Sequence, residues 1–121
     1  MRWEEFGVAA SELARLGRER FDRYQLCMMG TLRRDGSPRI SPCEMDFASG
    51  ELLLGMMWQS PKALDLLRDP RCVLHSCTTD KDGTEGGFKL YGRARDVLEP
   101  DLRAAYMAAL DARTQFKPPE A

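Results

Sequence analysis

The sequence predicts a protein of the α+β class, mainly β with helices, folded as a small antiparallel split β-barrel with peripheral helices. Three observations lead to this expectation. Five short apolar or alternating segments are separated by turn residues, a helix-start signature stands between the third and the fourth, and an amphipathic segment lies towards each end. Short hairpin-like connections favour an antiparallel sheet that closes on itself. With 121 residues, 43% of them hydrophobic, we expect one domain over residues 1–121.

Two segments have helical periodicity. The first runs from Glu4 to about Tyr24, with apolar side chains at intervals of three and four and charged side chains on the other side. Its apolar face consists of Phe6, Ala10, Leu13, Gly17 and Phe21. A second helix is expected from about Pro100 to Arg113, where it would pack on the sheet.

Five segments have the composition of strands. Alternation in the second of them puts Arg39, Ser41 and Cys43 on one face, and Pro42 indicates an edge or a bulge. Gly55 in the third lacks a side chain, which would let a flat ligand approach the backbone. The predicted strands are Leu26–Leu32, Arg39–Met45, Glu51–Met57, Cys72–Thr78 and Phe88–Ala94.

Charge and composition exclude several classes of partner. The formal net charge is -1, so no global field would recruit nucleic acid or an anionic membrane. No apolar run approaches the roughly 20 residues of a membrane span, and the charged N-terminus lacks a signal core, so a cytoplasmic protein is expected. A metal site is not expected, because the cysteines have no CxxC spacing and are read as reduced core residues. These cysteines are Cys27, Cys43, Cys72 and Cys77.

The segment Ser60-Pro61-Lys62 has the composition of an anion site. Ser60 as an N-cap, the free amides of the first helical turn and the Lys62 ammonium together favour a phosphate. Arg39 and Ser41 on the neighbouring strand add a guanidinium and a hydroxyl. We therefore predict that Arg39, Ser41, Ser60 and Lys62 close around one phosphate.

A purely structural interpretation of the same residues stays open. In it, Ser60 only caps the helix, Lys62 is solvated, and Arg39 pairs with Glu44 or Asp46. Spacing alone favours this interpretation.

Six segments follow one another in a characteristic order within residues 5 to 110. They are Gly30-Thr31-Leu32, Asp35-Gly36-Ser37-Pro38-Arg39-Ile40-Ser41-Pro42, Gly50-Glu51-Leu52, Ser60-Pro61-Lys62-Ala63, Leu67-Arg68-Asp69-Pro70-Arg71 and Lys89-Leu90-Tyr91-Gly92-Arg93-Ala94. Their order and spacing resemble the pyridoxamine 5'-phosphate oxidase-like family of flavin- and deazaflavin-binding split barrels.

The resemblance implies a homodimer with FMN, or alternatively a deazaflavin of the 8-hydroxy-5-deazaflavin type, in the groove between subunits. It implies that Arg39, Ser41, Ser60 and Lys62 hold the cofactor phosphate. The isoalloxazine ring would lie along Gly55, Met56 and Met57. The implied activity is hydride transfer through the bound flavin to or from a small organic substrate, with no side chain assigned as catalytic.

Two other functions stay open: a non-catalytic flavin-binding or flavin-sequestering protein, and a truncated homologue without cofactor. The second arises because members of the family usually continue into a further strand, whereas Gln115–Ala121 has no such pattern. The final barrel strand is therefore expected to be absent, which would leave a sheet edge to be covered. His75 is interpreted as structural, and Trp58 as a ring-stacking, pocket-lining or dimer-seam residue.

Overall fold

The computed structural model describes residues 1–114 and contains one antiparallel five-stranded sheet with helices around it. The strands are β1 (Leu26–Leu32), β2 (Pro38–Ala48), β3 (Glu51–Gly55), β4 (Arg71–Ser76) and β5 (Lys89–Arg93). The helices are α1 (Trp3–Ala9), α2 (Ser11–Tyr24), α3 (Pro61–Arg68) and α4 (Pro100–Thr114). The strand order is β3-β2-β1-β4-β5, and the sheet curls into a half-barrel. The predicted α+β split barrel is confirmed.

The strand boundaries differ from the prediction mainly in β2, β3 and β4. β4 begins at Arg71 and ends at Ser76, two residues before the predicted end. β2 is longer than expected because its second half, from Glu44 to Ala48, pairs with β3. β3 ends at Gly55, two residues before the predicted end. The chain then enters the loop to α3, in which Gln59 has a φ of 58° in the left-handed region. Met56 and Met57, which were predicted to end the third strand, therefore belong to that loop and not to the sheet.

The prediction of one helix from Glu4 to Tyr24 is wrong, because the chain breaks at Ala10. Ala10 has φ −146° and ψ 66°, and α1 and α2 lie on either side of it. The break lets α1 reach the β2–β3 turn, where the Glu4 amide donates to the Gly50 carbonyl at 3.0 Å. A contact so distant in sequence cannot be read from periodicity.

The interior of the half-barrel is one apolar cluster. Phe21 of α2 meets Phe88 edge-on, with ring centroids 5.5 Å apart. Gly17 lies beneath the same ring, since a Cβ there would come within 2.6 Å of Phe88 Cζ. The buried members are Phe21, Cys27, Met29, Cys43, Met45, Leu74 and Phe88. All four cysteines are free thiols, and Cys27 and Cys43 belong to this core. Cys72 is partly buried against it, whereas Cys77 is half-buried and not a member, so the prediction of four core cysteines holds only in part.

A second, smaller cluster holds α4 against the sheet. Leu53 of β3 packs there with Tyr106 and Leu110 of α4. The side chains of β3 therefore alternate between the two clusters, because Leu52 and Leu54 face the first. In this way α4 covers one end of the sheet.

The first half of β2 forms a local edge. β3 pairs only with residues 44–48 of β2, whereas β1 pairs with residues 38–44. Pro42 lies in this half, opposite Met28 of β1, where the missing amide hydrogen breaks no bond to β3. The strand as a whole lies between β3 and β1, so the edge predicted from Pro42 holds only for this half of β2.

The prediction that a final strand is absent concerns Gln115–Ala121, which lie outside the described residues. Within residues 1–114, β3 and β5 form the two ends of the sheet order. No helix in that range combines the length and the hydrophobicity that crossing a membrane requires.

Candidate functional site

Helix α3 is fastened to the edge half of β2 by two polar contacts. Lys62 Nζ donates to the Pro42 carbonyl at 2.6 Å. Arg39 Nε donates to Asp65 Oδ2 at 2.7 Å. The structure thus brings the predicted strand residues and the predicted helix residues onto two adjoining elements.

The start of α3 has the predicted capping geometry. Ser60 is extended, with φ −62° and ψ 154°, and its hydroxyl accepts from the Ala63 amide at 3.3 Å. Pro61 occupies the first helical position, where its missing N–H costs nothing. The N-terminal end of the helix carries partial positive charge, to which Lys62 adds a full charge.

Asp65 is the centre of the site, although sequence reasoning did not select it. Its side chain is only 4% exposed. It accepts from Thr31 Oγ1 at 2.8 Å, from Arg39 Nε at 2.7 Å and from Arg68 Nη2 at 3.0 Å. Burial by itself raises the pKa of Asp65, but hydrogen bonds from Arg39, Thr31 and Arg68 outweigh it and leave the pKa below its ordinary value. Asp65 is therefore ionised, and both of its carboxylate oxygens accept hydrogen bonds.

One signal for Asp65 was present in the sequence. The side chains of Leu64 and Leu67 are exposed on α3, whereas Asp65 is buried. An acidic residue among leucines in a short amphipathic helix is a candidate for the buried position. A charge that is buried in this way is paired with other groups of the protein. The partners Thr31 and Arg39 are too far away in sequence to be identified by spacing.

The contact between Arg39 and Asp65 corrects the structural interpretation, which paired Arg39 with Glu44 or Asp46. The bond to Asp65 uses only Nε of the guanidinium. Within residues 1–114, neither terminal nitrogen of Arg39 makes a side-chain hydrogen bond, and the guanidinium forms no ion pair except the one with Asp65. Arg39 is half-buried, so it is held in place while its two parallel N–H groups remain available to an oxyanion.

Ser41 supplies a second indication of a polar ligand. Its hydroxyl oxygen is buried and has no hydrogen-bond partner within the described part of the chain. A buried hydroxyl without a partner costs free energy, so such an atom commonly marks a place for a further polar group. Ser41 follows Arg39 on the same face of β2 and immediately precedes Pro42, to which Lys62 is bonded.

The three residues predicted to contact a flavin ring have different surroundings. The space that Gly55 leaves is filled by Tyr106 of α4, because a Cβ there would lie 2.6 Å from Tyr106 Cζ and overlap the hydroxyl. On this face, the space beside Gly55 is therefore occupied by a side chain of the protein itself. Met56 packs against the core cluster, while Met57 and Trp58 are exposed in the loop before α3. A ring contact of Gly55, Met56 and Met57 stays a prediction.

The donor set is of the kind that binds a phosphate group. Arg39 offers two parallel N–H donors, Lys62 offers an ammonium, and Ser41 and Ser60 offer hydroxyls, all at the junction of β2 and α3. Guanidinium, ammonium and hydroxyl donors together satisfy the several oxygens and the charge of a phosphate.

Comparison with known families identifies the chain. Residues 17–120 match the family model described as "Pyridoxamine 5'-phosphate oxidase". The chain therefore belongs to the pyridoxamine 5'-phosphate oxidase family, as the order of its motifs suggested. No curated protein matches the chain significantly.

Solved structures with the same fold include proteins of different kinds. The conserved hypothetical protein Rv2991 from Mycobacterium tuberculosis is 27% identical with a TM-score of 0.63, and the match covers 74% of this chain and 57% of that one. An F420 reductase is 19% identical, with a TM-score of 0.59 and coverage of 78% and 75%. HutZ, the heme storage protein from Vibrio cholerae, is 13% identical, with a TM-score of 0.58 and coverage of 94% and 77%. The last two likenesses establish the fold alone.

Proposed function

We propose that this protein is a flavin-dependent oxidoreductase that binds FMN, or alternatively a deazaflavin. One observation carries the proposal: Asp65 holds Arg39 by Nε alone, next to Lys62, so that the terminal guanidinium nitrogens remain available for a phosphate. When bound, the flavin supplies hydride transfer to or from a small organic substrate.

The roles of the four polar residues follow from their chemistry. Arg39 takes two phosphate oxygens in a bidentate contact, and Lys62 supplies a point charge. The hydroxyls of Ser41 and Ser60 reach further oxygens, and the positive end of α3 favours the anion. Gly55, Met56 and Met57 would line the ring, with the exposed Trp58 beside them.

The phosphate site is tested by titrating FMN and riboflavin, which differ by the phosphate alone. Arg39→Ala and Lys62→Ala should each weaken FMN affinity about 10- to 100-fold, because each removes a charge-assisted hydrogen bond worth about 1.5–3 kcal/mol. Quenching of flavin fluorescence reports the affinity. Riboflavin should bind wild type and variants alike. Arg15→Ala removes an exposed arginine from α2 and serves as the control.

Unchanged FMN affinity in both variants would refute the phosphate site. The absorption spectrum of the purified protein identifies the chromophore. Turnover with a nicotinamide or reduced deazaflavin donor then separates an oxidoreductase from the open alternative, a flavin-sequestering protein.

The outer face of the sheet supports the proposed homodimer. Ile40 and Tyr91 are 73% and 74% exposed. Through Gly30 and Val73 they form one row across β2, β1, β4 and β5, because Gly30 pairs with Ile40 and with Val73, and Val73 pairs with Tyr91. An exposed apolar row across four strands is typical of an interaction surface, and a second copy of the chain is its proposed occupant.

Introducing charge into this row should separate the dimer. Ile40→Glu and Tyr91→Glu each place a carboxylate where the partner's apolar surface would cover it, which opposes association. Light scattering after size exclusion should give a dimer for wild type and a monomer for either variant. Leu98→Glu, at a residue 71% exposed outside the sheet, is the matched control and should stay dimeric. A monomeric wild type at micromolar concentration would contradict the proposed dimer.

Heme binding is a second candidate function, which one side chain favours. His75 Nδ1 lies 2.7 Å from the Ser76 carbonyl, so Nδ1 donates, and Nε2 is the ring nitrogen that this bond leaves unused on an exposed strand position. Such a nitrogen suits an iron ligand. A Soret band on addition of hemin that disappears in His75→Ala would favour this function over flavin binding.

A further inference from the structure

A second basic site lies at the opposite end of α3 from Ser60. The β1–β2 turn, the last turn of α3 and the start of β4 enclose an open groove of about 420 Å³. We call it the arginine groove; it is lined by Leu32, Arg33, Arg34, Gly36, Arg68, Asp69 and Arg71. Four guanidinium groups and the carboxylate of Asp69 thus line the groove, in a chain whose formal net charge is only -1, and Asp35 on the same turn interacts electrostatically with Arg33.

Two of these arginines are held in place by the fold. Arg68 Nη2 donates to the Leu32 carbonyl and to Asp65 Oδ1, each at 3.0 Å. Arg71 binds Asp69 through Nε and Nη2, at 3.0 and 2.7 Å. The hydrogen bonds from Arg71 hold the pKa of Asp69 at about 2, so this pair remains ionised at ordinary pH. Two oriented guanidinium groups are therefore present before any ligand arrives.

The other two arginines, Arg33 and Arg34, lie on the β1–β2 turn. Arg33 and Arg34 are exposed on the turn, and within residues 1–114 neither side chain makes a hydrogen bond or an ion pair. Their backbone is nonetheless ordered, since Arg33 N donates to the Ser37 carbonyl at 2.9 Å and Gly36 N donates to the Arg33 carbonyl at 2.9 Å. Both side chains are therefore free to close on a ligand from a fixed position.

A like-charge pair beside the groove adds to the excess of positive charge. Arg71 of β4 lies directly opposite Arg93 of β5 in the sheet register. Like charges in this position are destabilising. Asp69 interacts electrostatically with both, but one carboxylate offsets only one of the two charges. A bound multivalent anion would relieve the remaining repulsion.

We propose that the arginine groove binds a polyphosphate group of a small molecule. One carboxylate ligand would be satisfied by a single arginine, whereas the charge here matches an anion with two or more negative charges. Arginine is also the side chain best suited to bidentate contact with phosphate oxygens. Among residues 1–114, the lining has no aromatic side chain to stack on a base, so the recognised part of the ligand is its phosphate. The inference does not depend on flavin binding, because Arg39 and Lys62 do not line the groove.

Calorimetric titration with inorganic pyrophosphate tests the proposal. The double variant Arg33→Gln/Arg34→Gln should weaken pyrophosphate binding at least 10-fold, with an unchanged melting temperature because both residues lie on an exposed turn. The matched control, Arg15→Gln/Lys81→Gln, removes two exposed charges from α2 and from the β4–β5 connection and should change the affinity less than 2-fold. Orthophosphate should bind wild type at least 10-fold more weakly than pyrophosphate.

The remaining outcomes would overturn the proposal. No pyrophosphate binding by wild type, or an equal loss in both double variants, would leave only non-specific charge attraction. A loss in Lys62→Gln with none in Arg33→Gln/Arg34→Gln would locate pyrophosphate at the proposed flavin-phosphate site instead. FMN titrations of the same variants distinguish the two proposed sites. If the protein does not bind FMN, the flavin proposal fails, but the result with pyrophosphate is unaffected.

Discussion

Replacing Asp65 by alanine should lower the free energy of unfolding by about 3–5 kcal/mol, the usual cost of removing one partner from a buried charged network. The substitution leaves Arg39, Arg68 and the Thr31 hydroxyl without their common acceptor. Urea unfolding followed by circular dichroism measures the change. Asp82→Ala removes an exposed acid from the β4–β5 connection and should cost no more than about 0.5 kcal/mol.

The pH dependence of this effect has a definite sign. The pKa of Asp65 is lower in the folded state than its unfolded value of about 3.9. Its contribution is therefore complete above about pH 4 and disappears as the pH falls through the folded pKa. The stability difference between wild type and Asp65→Ala should shrink in that acidic range. A difference that stays constant down to pH 2 would contradict the assigned network.

A third variant separates stability from ligand binding. In Asp65→Leu/Arg39→Met an apolar pair replaces the Asp65–Arg39 ion pair, a change that is often close to neutral for stability. This protein should lose less stability than Asp65→Ala, because only Arg68 and the Thr31 hydroxyl then lack their acceptor, yet bind FMN at least as weakly as Arg39→Ala. Full FMN affinity in this folded variant would show that Asp65 and Arg39 serve the fold alone.

Gly55→Val should cost about 3 kcal/mol, the upper part of the usual range for overpacking. The new side chain would overlap the hydroxyl end of the Tyr106 side chain, so either this side chain or α4 itself must shift away from β3. Thermal or urea unfolding measures the loss. Gly92→Val is the matched control, because a Cβ on that β5 glycine meets nothing within 4 Å and a β-branched residue suits a strand.

A double-mutant cycle identifies Tyr106 as the cause. In a Tyr106→Ala background Gly55→Val should cost much less than in wild type, because the space is then open. Additive effects of the two substitutions would mean that the strand, not the contact with α4, requires glycine at position 55.

Sequence reasoning succeeded where the cause of a structure lies within a few residues. The cap formed by Ser60 and Pro61, the alternation of Arg39 and Ser41, and the edge at Pro42 are local in this sense, and all were predicted. The break at Ala10, which lets α1 contact the β2–β3 turn about forty residues further on, was missed because the apolar periodicity continues across it.

The same limit explains what was missed in the site. Asp65 is bonded to Thr31 and Arg39, 34 and 26 residues away, which only the folded sheet brings together. The glycine at position 55 was predicted to make room for a flat ligand, whereas the structure fills that room with Tyr106 of α4. Both contacts belong to tertiary structure, about which hydrophobic periodicity carries no information.

The bond between Lys62 and Pro42 also bears on aggregation. An unpaired stretch of strand invites pairing with another chain, which is the first step of many β-sheet aggregates. In the edge half of β2, Pro42 has no amide hydrogen to donate, and its carbonyl is already engaged by Lys62. A foreign strand therefore meets no donor and an occupied acceptor at this point. Loss of Lys62 would free the Pro42 carbonyl and leave this edge more open to intermolecular pairing.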